Sequence, residues 1–121
     1  MTETRNNKQY DLEDRTYEFA RKCRDFVRKL PRSVSNIEYG KQLVRSSGSQ
    51  AANYIEANES LSRKDFIYRV RICRKETKES CLWLKLCGNG DDTLLPEEQK
   101  NLLKEAVELR KIFNSILEKS V

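Results

Sequence analysis

The stretch Ser62–Leu86 reads SRKDFIYRVRICRKETKESCLWLKL, and its periodicity decides the fold. At 100° per residue, Phe66, Val70, Cys73, Thr77, Ser80, Cys81 and Leu84 fall in one arc, the buried face of a helix. Lys64, Arg71, Arg74, Lys75, Lys78 and Lys85 fall in an arc opposite, with Ile67 and Leu82 among them. Tyr68, Ile72, Trp83 and Leu86 make a third arc between the two. Ser62 followed by Asp65 has the pattern of a capping box, with an acid where the helix dipole favours one. Gly88 is read as the residue that ends the helix, because glycine accepts a positive φ without strain.

Three more helices follow on either side. Leu12, Thr16, Phe19, Ala20, Cys23, Phe26, Val27 and Leu30 recur at steps of three and four, predicting a helix over about Asp11 to Leu30 that Pro31 stops. A second helix is predicted over about Asn36 to Asn58. It carries one stripe of Ile37, Gly40, Val44, Ser47, Ala51, Ile55 and Asn58, and another of Tyr39, Leu43, Ser46, Gln50 and Tyr54. Its many small residues let neighbouring axes approach closely, so it should be central. After the loop Gly88-Asn89-Gly90-Asp91-Asp92, Pro96 sits at a helix first turn with Glu97 and Glu98 behind it. Leu102, Leu103, Ala106, Val107, Leu109, Ile112, Phe113, Ile116 and Leu117 carry that helix to about Glu118. Matched helices of about 30 to 36 Å joined by short connections predict an all-α, up-down-up-down antiparallel four-helix bundle. It should occupy residues 11–121 behind a loose N-terminal segment, 1–10.

Composition excludes much else. One domain is expected from 121 residues, and 4 glycines with 2 prolines are too few for a many-stranded β fold. The absence of histidine removes Ser-His-Asp and Cys-His catalysis and every His-ligated zinc site. Cys23, Cys73, Cys81 and Cys87 form no CxxC pair and read as free, buried thiols. The chain has no phosphate-cradling GxxxxGK loop, and the Gly88–Asp92 loop has too few oxygen ligands for an EF-hand. No metal, cofactor, small-molecule substrate or enzymatic activity is expected. No apolar run approaches membrane-spanning length and the polar first residues lack a signal-peptide core, so the expected compartment is the cytoplasm.

A bundle core uses one apolar face per helix, and the third arc is a second one. Tyr68, Ile72, Trp83 and Leu86, with Tyr39 and Tyr54, are therefore candidates for a homo-oligomer interface. The alternative is that this patch packs beneath the N-terminal segment. Charge is uneven too. The chain carries +5 overall, and residues 61–90 alone carry +5, with 8 basic and 3 acidic side chains. Lys64, Arg71, Arg74, Lys75 and Lys78 are the candidate nucleic-acid contacts, with Arg21, Arg24 and Arg28 as a second ridge. Such a stripe attracts RNA or DNA through the phosphate backbone; alternatively it is an ordinary solvated face. A protein–protein scaffold is the alternative function. Cross-helix ion pairs are expected between Arg45 and Glu76, Lys41 and Glu79, and Glu56 and Lys64 or Arg63. Asn53 and Glu56 stand out as polar residues beside a packed stripe.

The segment QLVRSSGSQAANYIEA, residues 42–57, is followed by Ser62-Arg63-Lys64-Asp65-Phe66, Lys75-Glu76-Thr77-Lys78-Glu79-Ser80 and Trp83-Leu84. Together these resemble the bacterial four-helix-bundle proteins encoded in intervening sequences of 23S ribosomal RNA genes, and the related accessory proteins of diversity-generating retroelements. Asn53-Tyr54-Ile55-Glu56-Ala57 stands where the family pattern is Asn-Ile-Ala-Glu or a close variant. The resemblance covers about residues 10–118. It implies a barrel-like homopentamer with basic surfaces and a nucleic-acid-binding role. The number five comes from the resemblance alone.

Overall fold

A computed structural model describes residues 7–88 and 96–120. The described residues form four helices and no strand: α1 (Asn7–Arg28), α2 (Val34–Asn58), α3 (Arg63–Leu86) and α4 (Glu97–Ser120). The N-terminal segment expected to be loose over 1–10 is helical from Asn7. Its first six residues, the loop from Asn89 to Asp92 and Val121 lie outside the described residues.

The helix ends follow local chemistry. Ser62 caps α3 as its sequence predicts, its hydroxyl accepting from the Asp65 N–H at 3.1 Å. Helix α2 starts at Val34, two residues before the expected Asn36, because Ser33 caps it by accepting from the Asn36 N–H. The expectation for Gly88 is corrected. Gly88 does not take a left-handed φ. Helix α3 ends instead at Cys87, extended at φ −75° and ψ 148°, whose N–H still reaches the Trp83 carbonyl. Two buried amides finish this end. Gln99 donates to the Leu84 and Cys87 carbonyls at 2.6 and 2.9 Å. Asn36 donates to the Pro31 and Gly88 carbonyls and accepts from the Gly88 N–H. Gln99 thus satisfies a carbonyl that the end of α3 leaves unpaired, and Asn36 ties the residue after it to the α1–α2 connection.

Helix α2 packs on α1 and α3, and α4 packs on α3 and α1, so α1 and α3 lie diagonally across the bundle. Along the α2–α3 seam Tyr39 meets Trp83, Ser46 meets Ser80, and Asn53 meets Arg69. Residue numbers fall along α3 as they rise along α2. Phe19, Leu43, Val70, Leu84, Leu109 and Phe113 fill the centre, each buried.

The core is unusually polar. Gln50 donates to the Thr16 and Ser47 carbonyls, and the Ser46 and Ser80 hydroxyls lie 2.7 Å apart. Each such bond contributes about 1 kcal/mol net, and losing one partner costs more, because a buried polar group is left bare. Of the two stripes on α2, the one with Leu43, Ser46, Gln50 and Tyr54 is buried, while Val44 and Ile55 of the other are exposed. Close approach occurs at Gly40, where an added Cβ would lie 3.0 Å from Val27 Cγ1; at Gly48 it would meet open space. All four cysteines are free and buried. Burial pushes the Cys23 and Cys73 thiols up to about 12 and Cys87 to about 11, so they stay neutral and unreactive.

Candidate nucleic-acid interface

The positive face of α3 is assembled by spacing. Lys64, Tyr68, Arg71, Lys75 and Lys78 follow steps of four and three, so they line one outward edge about 21 Å long. Helix α4 packs beside that edge and completes a groove of about 460 Å³, lined by Arg71, Arg74, Lys75, Lys78, Arg110 and Asn114. Asn114 Oδ1 accepts from Arg74 Nη1 at 3.0 Å and fixes that guanidinium at the rim. No acidic side chain lines the groove. Among the described residues, Arg71, Arg74, Lys78 and Arg110 have no carboxylate at ion-pair distance, and Lys75 has only Glu76 at 3.8 Å. Five cations therefore share one concave surface, where low-dielectric walls concentrate their field. Arg110 was invisible in the sequence pattern, because nothing along α4, with five basic and five acidic side chains, singles it out. Lys64 lies beyond the groove, in a second hollow lined by Arg63, Lys64, Ile67, Tyr68 and Arg71. Arg71 is common to both.

The second predicted ridge is different. Arg21 donates to Glu18 at 2.7 and 3.1 Å and to Asp25 at 3.3 Å. Arg24 donates to Asp25 at 3.1 Å, and Arg28 lies 3.6 Å from the same carboxylate. Two acids thus hold three arginines along the helix surface. Hydrogen bonding to Arg21 keeps the Glu18 carboxyl below its ordinary value, so it stays charged. The ridge is on α1, diagonal to α3, and the structure does not bring the two basic sets together.

The residues expected to form one self-contact patch are dispersed. Tyr54 is in the protomer's core, tilted against Phe113 with ring centroids 6.1 Å apart. Its assignment to an interface is corrected: the stripe it belongs to faces inward. Trp83 is half-buried and stacks on Tyr39 at 5.8 Å, so both rings are packed within the α2–α3 seam. Trp83 Nε1 is buried without a hydrogen-bond partner. Ile72 is half-buried. Tyr68 and Leu86 are exposed but stand about 27 Å apart along α3.

Other charges are structural. Arg45 reaches Glu76 as expected, its Nη1 donating to Oε2 at 3.4 Å, and Nη2 also takes Glu79 at 3.0 Å. Glu76 is buried, and Arg45 Nη2 approaches its Oε1 at 3.3 Å without hydrogen-bond geometry. The expected Lys41–Glu79 pair does not form, since Lys41 turns to Glu38 on its own helix. Among the described residues, Glu56 makes no ion pair with Lys64 or Arg63. Asn53 accepts from Arg69 Nη1 at 3.0 Å while donating to Ser49, which ties α3 to α2. A groove of about 940 Å³ between α1 and α4 mixes both signs, and Arg15 closes on Glu105 with two contacts of 2.9 Å. No group of three or more metal-ligating side chains occurs among the described residues, nor any helix long and apolar enough to cross a membrane.

Fold and surface together define a small all-α protein of four packed helices, whose distinguishing site is a groove lined by five cations and no acid. The family model described as 23S rRNA-intervening sequence protein matches residues 8–115, and the chain belongs to that family. A solved structure from Bacteroides thetaiotaomicron VPI-5482, described as a protein of unknown function from the S23 ribosomal protein family, is similar at 27% identity. The match covers 88% of this chain and 97% of that one, with a TM-score of 0.73. No curated protein matches the chain.

Proposed function

We propose that this protein is a non-enzymatic, oligomeric nucleic-acid-binding bundle that holds phosphate backbones in the α3–α4 groove. The observation that carries this reading is the groove lining: Arg71, Arg74, Lys75, Lys78 and Arg110, with no acid among the lining residues. Concentrating like charge on one surface works against folding, and a polyanion is the partner that relieves it. In this reading the helices run up-down-up-down and antiparallel, and copies associate in a ring-like homo-oligomer. Support for association is the exposure of Leu82 and Leu86 on α3 and of Val44 and Ile55 on α2. Two different faces meeting head to tail would close a ring.

The test is a gel-shift series at several salt concentrations, with RNA and DNA of matched length. Five phosphate contacts predict a slope of log affinity against log salt of about −4.5 on duplex and about −3.5 on single strands. Affinity that ignores salt would overturn the reading.

A further inference from the structure

The geometry points to a single-stranded nucleic acid as the ligand, with a base stacked on Tyr68 while its phosphates follow the groove. This rests on the function proposed above and narrows it.

Tyr68 is 60% exposed on the outward edge of α3, between Lys64 and Arg71. Its hollow, lined also by Arg63, Lys64 and Ile67, shares Arg71 with the basic groove, so the ring and the cations form one continuous track. The ring's setting is braced. The Arg69 guanidinium carbon lies 5.8 Å from the Tyr68 centroid, and Arg69 is itself tied to Asn53 Oδ1 on α2.

An exposed aromatic ring amid cations is poorly explained as a self-contact. A second copy meeting Tyr68 through the same face would bring its own positive edge against Lys64 and Arg71, and like charges oppose that approach. The same mixture suits an unpaired strand. Cations track its backbone, and an aromatic face takes any base, because every base has a π surface. A duplex keeps its bases stacked inside and offers this edge only phosphates. Tyr68 would then add nothing.

The experiment is fluorescence anisotropy with one labelled oligonucleotide, offered single-stranded, as its duplex, and as a strand with abasic positions. On single strands Tyr68→Ala is expected to weaken binding about 5- to 150-fold and Tyr68→Phe less than about twofold. The salt slope and the oligomeric state should not change, and duplex binding should be unaffected. Abasic positions should weaken the wild type and add little to the loss in Tyr68→Ala. A silent Tyr68→Ala variant, an equal loss on duplex, or dissociation of an oligomer would overturn this inference and leave the groove's function standing. Failure of the wild type to bind either form would overturn both.

Discussion

The α1 ridge, with three arginines, and the α3–α4 groove, with five cations, have opposite surroundings. On α1, Arg21, Arg24 and Arg28 share Glu18 and Asp25 within one turn of helix. In the groove, Arg71, Arg74, Lys75, Lys78 and Arg110 converge from two helices with no acid in the lining. An exposed pair contributes at most about 1 kcal/mol to stability, yet it cancels the field that a distant phosphate would feel. Counting cations therefore overstates the ridge. The placement of acids decides which surface remains positive.

The strongest test sets the two regions side by side. Reversing Arg71, Arg74 and Lys78 to Glu should weaken nucleic-acid binding on the order of 100-fold or more and flatten the salt slope. Replacing Arg21, Arg24 and Arg28 by Gln should change affinity less than about threefold, since those charges are already opposed. Circular dichroism should show unchanged helicity in both variants. Equal losses in the two would erase the distinction between the surfaces.

A smaller effect follows from uncovering the ridge. The double variant Glu18→Gln and Asp25→Asn removes the acids and keeps the arginines. It should tighten binding by about three- to tenfold and steepen the salt slope. Unchanged affinity would mean that α1 is out of reach of the ligand whatever its charge.

How far the sequence foretold this contrast depends on whether the cause was local. Pro31, the Ser62–Asp65 cap and Pro96 act within a few residues, and the helices end where they direct. The cations of α3 are set by helical spacing alone, and they share a surface as expected. The cancellation on α1 was also within reach, because Asp25 lies four residues after Arg21 and three before Arg28. Other features needed the fold. Arg110 joins the groove only because α4 packs beside α3. Gln50 is a buried residue because Thr16 on α1 offers it a carbonyl. Tyr54, one turn along the same stripe, is buried against Phe113 of α4. Gly88 was assigned a left-handed turn by residue type, whereas Asn36, 52 residues away, holds it in another conformation.

The smallest expected effect is a pH dependence on one side only. Arg21 lowers the Glu18 pKa in the folded protein relative to the unfolded chain. The pair's contribution is therefore present above the ordinary glutamate value and is lost as pH falls through the lowered one. Wild type should be slightly more stable than Glu18→Gln at neutral pH, and the gap should close only in strong acid. Urea unfolding of both proteins at several pH values measures it. The groove lining has no carboxylate, so Arg110→Gln should leave a difference from wild type that does not vary over the same range. Its sign should be opposite, because removing one of five like charges relieves repulsion. If Arg110→Gln instead destabilises at neutral pH, and does so less as acid is added, then Arg110 is paired with a carboxylate after all. The groove would then be a second ridge, with its charge as fully opposed as that of α1.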